Sequence, residues 1–196
     1  YFAIIVVLAL VTIVYTFIGG IKAVVWVDVA QMFLYVLGGI LAIIVITASV
    51  GGGWLAEAAA AGKLQMFVLE GNPINAAGSF IPSFVGGAVF AMASHGSDQI
   101  IVQRLLACRT KADAQKALIV SGFVVFVQFA IFLGVGLALW AYYDQAVPAD
   151  LGLTRDDEIF PLFIIEGLPP GVSGLLLAGI LAAAMSTLSS SLSALS

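Results

Sequence analysis

Apolar positions along this chain come in long blocks, with neither strict alternation nor a narrow helical stripe. Five blocks stand out, over residues 2–18, 27–50, 79–103, 117–143 and 171–196. An α-helix needs roughly 20 apolar residues to cross the hydrocarbon core of a bilayer. A segment in lipid has to satisfy its backbone N–H and C=O groups internally, which leaves helices or closed barrels. Barrel strands alternate apolar and polar residues, and these blocks do not. The pattern therefore predicts an all-α integral membrane domain over 1–196, with about five transmembrane helices.

The polar stretches between the blocks are of two kinds. Residues 19–26 and 104–116 are short and basic, whereas 51–78 and 144–170 are longer and acidic. Within the first long one, the Ala-rich run Leu55 to Gly62 reads as a small surface helix, and Gly71-Asn72-Pro73 as a turn. Within the second, Ile159, Phe160, Leu162, Phe163 and Ile164 lie between Asp156 and Glu166, the pattern of a short amphipathic helix on the membrane surface.

Composition strengthens this picture. Apolar residues make up 62% of the chain and charged residues 9%, whereas a soluble domain keeps about a quarter of its residues charged. Mean hydropathy is +1.17. The chain begins at Tyr1 without Met or a basic leader and stops at Ser196 inside an apolar, serine-rich block, so a piece of a longer protein is expected.

Threading five spans in order gathers Lys22, Arg104, Arg109, Lys111 and Lys116 on one side. Lys63 and Arg155 fall on the other, with Glu57, Glu70, Asp144, Asp150, Asp156, Asp157, Glu158 and Glu166. The positive-inside rule makes the cation-rich side cytoplasmic, as in a multi-pass protein of the inner (plasma) membrane. Loops 19–26 and 104–116 are then cytoplasmic, and 51–78 and 144–170 lie outside. The single cysteine, Cys108, excludes an internal disulfide. No stripe of Lys and Arg interleaved with aromatics suggests nucleic acid. No nucleophilic triad, carboxylate pair or phosphate loop supports an enzyme or an organic cofactor, and nothing points to an obligate protein partner.

The informative chemistry lies at the end of the fifth block, Ala182-Ala183-Ala184-Met185-Ser186-Thr187-Leu188-Ser189-Ser190-Ser191-Leu192-Ser193-Ala194-Leu195-Ser196. Ala183, Ser186, Thr187 and Ser190 are spaced to line one helix face, with Ser189 and Ser193 beside it. Such hydroxyls can bond back to the preceding turn or let helices approach closely. Gathered this densely, they also suit a hard cation such as Na+, which takes several oxygen ligands. Asp28, in the segment Trp26 to Gln31, is open to two readings: a solvated residue at a span end, or a carboxylate facing the serine stripe. Asp98, Gln99, Gln103 and Arg104 form a third cluster, where Arg104 is expected to pair with Asp98 or meet lipid headgroups. His95 has no metal or catalytic partner nearby and is expected as a buried, hydrogen-bonded side chain.

With those residues in view, the chain resembles the sodium:solute symporter family. Three blocks carry the likeness: Tyr15-Thr16-Phe17-Ile18-Gly19-Gly20-Ile21-Lys22-Ala23-Val24-Val25-Trp26-Val27-Asp28-Val29-Ala30-Gln31; Gly96-Ser97-Asp98-Gln99 followed by Val102-Gln103-Arg104; and Ala182 to Ser190. The resemblance implies a LeuT-type inverted-repeat fold and sodium-coupled uptake of a small organic solute across the lipid bilayer by alternating access. It places a Na+ coupling ion on Ala183, Ser186 and Thr187, and a second on Asp28, Ser186, Ser189 and Ser190. In a sugar-transporting member, a Tyr-Trp pair stands before the second block, its Tyr closing the sugar site from the inside, and a lysine of the next helix binds the sugar. Here those positions read Ser94, His95 and Val125. Ser94, His95, Ala91 and Val125 are therefore candidates for a differently shaped substrate pathway. The alternative is a transporter-like membrane sensor attached to a histidine kinase.

Overall fold

The computed structural model describes residues 2–65 and 80–195. The expectations at 66–79, including the turn at Gly71-Asn72-Pro73 and the second part of the outer loop 51–78, lie outside the described residues. Within them the chain is helical, with no strand: α1 (Phe2–Val50), α2 (Trp54–Ala60), α3 (Phe80–Ser97), α4 (Gln99–Leu106), α5 (Lys111–Tyr142), α6 (Ile159–Glu166) and α7 (Pro170–Leu195). Short 3-10 turns occupy Pro148–Leu151 and Asp156–Glu158. Among the described residues three helices are long and apolar enough to cross a membrane: Phe2–Val50, Lys111–Tyr142 and Pro170–Leu192.

A straight helix as long as α1 would reach roughly 74 Å, more than twice the thickness of a bilayer core of about 30 Å. It does not run straight. Gly20 has φ 57° and ψ −162°, and this breaks α1 into arms over 2–19 and 21–50. Only glycine adopts that backbone conformation without strain. Its neighbour Gly19 is needed for space, since a Cβ there would sit 2.1 Å from the Cβ of Ala23. The helix resumes at residue 21, within the stretch 19–26 read from sequence as a loop. Lys22 is the single charge between Ile21 and Val27, and one long cationic side chain at a span end can snorkel without ending a helix.

The other short loop is also tighter than its sequence suggests. Thr110 caps α5, its Oγ1 accepting from the Asp113 N–H at 3.1 Å and donating to the Asp113 carboxylate at 2.8 Å. This reciprocal cap starts α5 at Lys111, ahead of the apolar block. The third block is divided: α3 ends at Ser97, and Asp98 caps α4 by accepting the Ile100 N–H at 2.9 Å.

Three long segments pack together: the second arm of α1, α5 and α7. Gly38 faces Leu176, Gly179 lies against the backbone of Tyr35, and Ser186 meets Asp28. Each step up α1 is matched by an equal step down α7, so the two are antiparallel. Gly39 faces Ile131 and Gly134 faces Ile43, so α1 and α5 run parallel. Small residues at these crossings let the backbones approach closely, the usual means of helix association in a membrane.

The apolar core sits at one end of this trio. Ala42, Ile46, Val135, Ala138, Leu139, Phe163, Ile164, Leu168 and Leu176 are buried together. Phe163 and Ile164 are fully buried, and Phe163 meets Tyr142 edge-on at 5.0 Å between ring centres. Helix α6 is therefore plugged into the core, deeper than the surface position its amphipathic pattern suggested. Nearby, Trp54 of α2 donates its indole N–H to Thr47 Oγ1 at 3.0 Å, and Lys63 Nζ stands 5.0 Å over the Trp140 ring.

Candidate ion-binding site

The polar centre lies about 15 Å along α7 from this core, the rise over the ten residues from Leu176 to Ser186. Five hydroxyls on this stretch, those of Ser186, Thr187, Ser189, Ser190 and Ser191, have described hydrogen bonds, and they fall into two groups. Thr187 Oγ1 donates to the Ala183 carbonyl at 3.2 Å, Ser189 Oγ to the Ser186 carbonyl at 3.0 Å, and Ser191 Oγ to the Thr187 carbonyl at 2.9 Å. These satisfy themselves on their own helix. Ser186 and Ser190 instead reach across to other elements.

Ser186 Oγ donates to Asp28 Oδ1 at 2.5 Å. The other carboxylate oxygen, Oδ2, receives Arg104 Nη2 at 2.5 Å, and the same Nη2 donates to Ser190 Oγ. Asp28 is largely enclosed, its side chain 13% exposed, while that of Arg104 is 37% exposed. The reading of Asp28 as a solvated span end is thus set aside: it faces the serine stripe. Arg104 does not pair with Asp98, as the sequence led us to expect. Asp98 is committed to the α4 cap, and α4 begins a new helix whose direction carries Arg104, six residues on, toward α1 and α7.

Asp28, Ser186 and Ser190 are thus joined, directly or through Arg104, where α1 meets α7, and Ser189 lies fully buried on α7 with its hydroxyl on the Ser186 carbonyl. Ala183 and Thr187 lie one step around the helix, exposed and joined by their mutual hydrogen bond. Ser186 stands at the edge shared by both sets. Among the described residues no three His, Cys, Asp or Glu side chains converge, so the set holds one carboxylate and otherwise neutral oxygens.

The substrate-pathway candidates are more scattered. Ser94 and His95 are tied to their own helix: Ser94 Oγ donates to the Ala91 carbonyl at 3.2 Å, and His95 Nδ1 lies 3.0 Å from both Ser94 Oγ and that carbonyl. His95 is exposed, not buried as expected, because α3 has no buried residue at all among the described ones. Val125 is exposed on α5. Gln99 starts α4 and Gln103 precedes Arg104 on it.

Sequence reasoning passed over a second polar pair. Tyr35 OH donates to Gln128 Oε1 at 3.3 Å, joining α1 to α5. Both line a cavity of about 300 Å³ whose wall includes Leu176, Gly179 and Ala183. The signal available was Gln128 itself, a lone amide within a long apolar run.

The sodium:solute symporter family model matches residues 1–196. The chain is 34% identical to the sodium/sialic acid symporter NanT of Aliivibrio fischeri over 93% of its own length and 37% of that protein's. It is also 34% identical to the sodium/glucose cotransporter of Vibrio parahaemolyticus, over 94% of the chain and 37% of the relative. Among solved structures, it is similar to the substrate-bound, outward-open state of a Na+-coupled sialic acid symporter described as having a novel Na+ site. That match has a TM-score of 0.77 and 32% identity, and covers 96% of this chain and 40% of that one. The chain thus spans about two fifths of the length of the proteins it matches. These relatives are integral membrane transporters coupled to sodium, and this chain belongs to the sodium:solute symporter family.

Proposed function

We propose that this chain is the middle portion of a multi-pass inner-membrane symporter that couples Na+ entry to uptake of a small organic solute by alternating access. The observation that carries this is the contact of Asp28 with Ser186 across the α1–α7 crossing. It sets a largely enclosed carboxylate, paired with Arg104, beside neutral hydroxyls within a chain that is apolar nearly throughout. A hard monovalent cation fits such a set: one formal charge to balance and several small oxygens to replace water.

In this account Ala183, Ser186 and Thr187 hold one sodium, completed by a part of the protein beyond this chain. Asp28, Ser186, Ser189 and Ser190 hold a second. Arg104 draws on the Asp28 carboxylate and the Ser190 hydroxyl, so it competes with the second ion for both and sets how tightly that ion is held. The two arms of α1, the α3–α4 pair, α5 and α7 are the five passes, within a LeuT-type inverted-repeat fold. The parallel α1–α5 and antiparallel α1–α7 packing is what alternating passes require.

Coupling follows from linkage. Sodium between α7 and a facing helix favours one conformation, raising solute affinity, and solute raises sodium affinity by the same factor. Reopening to the inside is rocking of one helix bundle against another. A potential negative inside adds about 2.3 kcal/mol per charge at 100 mV. The test is uptake into proteoliposomes carrying the full-length protein, with sialic acid, glucose and monocarboxylates offered under an inward Na+ gradient or a choline gradient. Accumulation of a solute that needs Na+ supports the proposal; equal accumulation under both gradients overturns it.

A further inference from the structure

Four side-chain atoms are buried without a hydrogen-bond partner among the described residues, and all lie on α1: Thr12 Oγ1, Tyr15 OH, Thr16 Oγ1 and Gln31 Oε1. Gln31 is the one in the second arm, and it is 6% exposed. Buried polar groups in folded proteins are nearly always hydrogen-bonded, so an orphan amide oxygen points to a partner that is not one of the neighbouring side chains.

Its place on the helix says where that partner would sit. Asp28, Gln31, Tyr35 and Gly38 follow helical spacing along one face of α1, and the other three meet α7 at Ser186, Gly179 and Leu176. The same antiparallel register sets Gln31 level with Ala183, one turn from Asp28 and Ser186. A cavity whose wall includes Tyr35, Gly179 and Ala183 lies at the next turn, near the buried Gln31 oxygen but not lined by it.

We infer that Gln31, through its side-chain carbonyl oxygen, is a further ligand of the sodium held between α1 and the serine-rich helix. The inference rests on the sodium reading above and extends it to a residue that neither hydroxyl spacing nor charge singled out. An amide oxygen is a hard, neutral donor of the kind that Na+ accepts. It adds a ligand without adding a second negative charge to the one on Asp28, which Arg104 already balances in part.

The test uses the full-length protein in detergent, its thermal stability measured across a NaCl titration with choline chloride holding ionic strength. Gln31→Met keeps the side-chain length and removes the oxygen. It should be at least as stable as the parent in choline, because an unpartnered buried oxygen is lost. Its half-saturating Na+ concentration should rise on the order of tenfold, the cost of losing one partner of a charged group. Gln31→Glu, which keeps an oxygen, should restore sodium binding, and it serves as the test should the Met variant fail to fold. A Met variant that loses stability in choline while keeping the parental Na+ midpoint makes Gln31 a structural residue and overturns the inference, with the sodium reading intact. A parent protein that does not respond to Na+ at all overturns both.

Discussion

Replacing Asp28 by Asn separates the two tasks assigned to this carboxylate. Asn keeps the volume and leaves an oxygen for Ser186, but it removes the charge that faces Arg104 at 2.5 Å. Breaking a fully buried ion pair costs about 3–5 kcal/mol, because the remaining charge stays desolvated. Arg104 is more than a third exposed, so water compensates part of that, and the loss in sodium-free buffer should be about 1–3 kcal/mol. The companion variant Arg104→Gln strands Asp28 instead, and Asp28 is the more enclosed partner, so its loss should be the larger. Combining the two should restore part of the stability lost by either, since the double variant strands no charge. Sodium binding should behave differently: Asp28→Asn weakens it by about 2 kcal/mol or more, roughly 30-fold, whereas Arg104→Gln tightens it by removing the competitor. Chemical or thermal unfolding of the four proteins in choline, then in Na+, reads both cycles. Strict additivity of the two single losses, or a sodium midpoint that Asp28→Asn leaves unmoved, would refute the reasoning.

Other variants probe the remaining parts. Ser186→Ala should raise the sodium concentration needed for half-maximal uptake, while Ser191→Ala, which removes only a bond to the Thr187 carbonyl, should leave it unchanged. Gly20→Ala forces an L side chain into φ 57° and should cost about 1–3 kcal/mol, read as reduced thermal stability and yield. Phe163→Ala empties a fully buried site at about 3–5 kcal/mol, and because α6 lies remote from Asp28 it should lower stability without moving the sodium midpoint of the protein that still folds.

The parts of this structure that were legible in the sequence are those that local chemistry decides. Long apolar blocks gave helices, and the spacing of Ser186 and Ser190 set both toward neighbouring helices, whereas Ala183 and Thr187, read onto the same face, lie exposed beside them. The break at Asp98 was readable in principle, since Gly96-Ser97-Asp98 before Gln99-Ile100-Ile101 places a capping residue ahead of an apolar run. Of the two partners of Asp28, the serine stripe was one of the readings offered, but the charged one was not readable. Arg104 lies 76 positions away, and its direction depends on where α4 starts relative to α1 and α7. Gln31 and Tyr35 were equally hidden, because their neighbours follow from a helix crossing set by Gly38 and Gly179 and not from any local pattern. The burial of Phe163 and Ile164 shows the same limit: an amphipathic segment can cover a membrane surface or a protein core, and only the partner helices decide which.

The most direct test of the central claim is the thermal stability of the purified full-length protein against a panel of small organic solutes, run in Na+ and separately in choline. A ligand that binds the folded state raises its stability by mass action. The account predicts that Na+ alone stabilises the protein and that some solute adds further stability only when Na+ is present. Identical curves in Na+ and choline for every solute would contradict it.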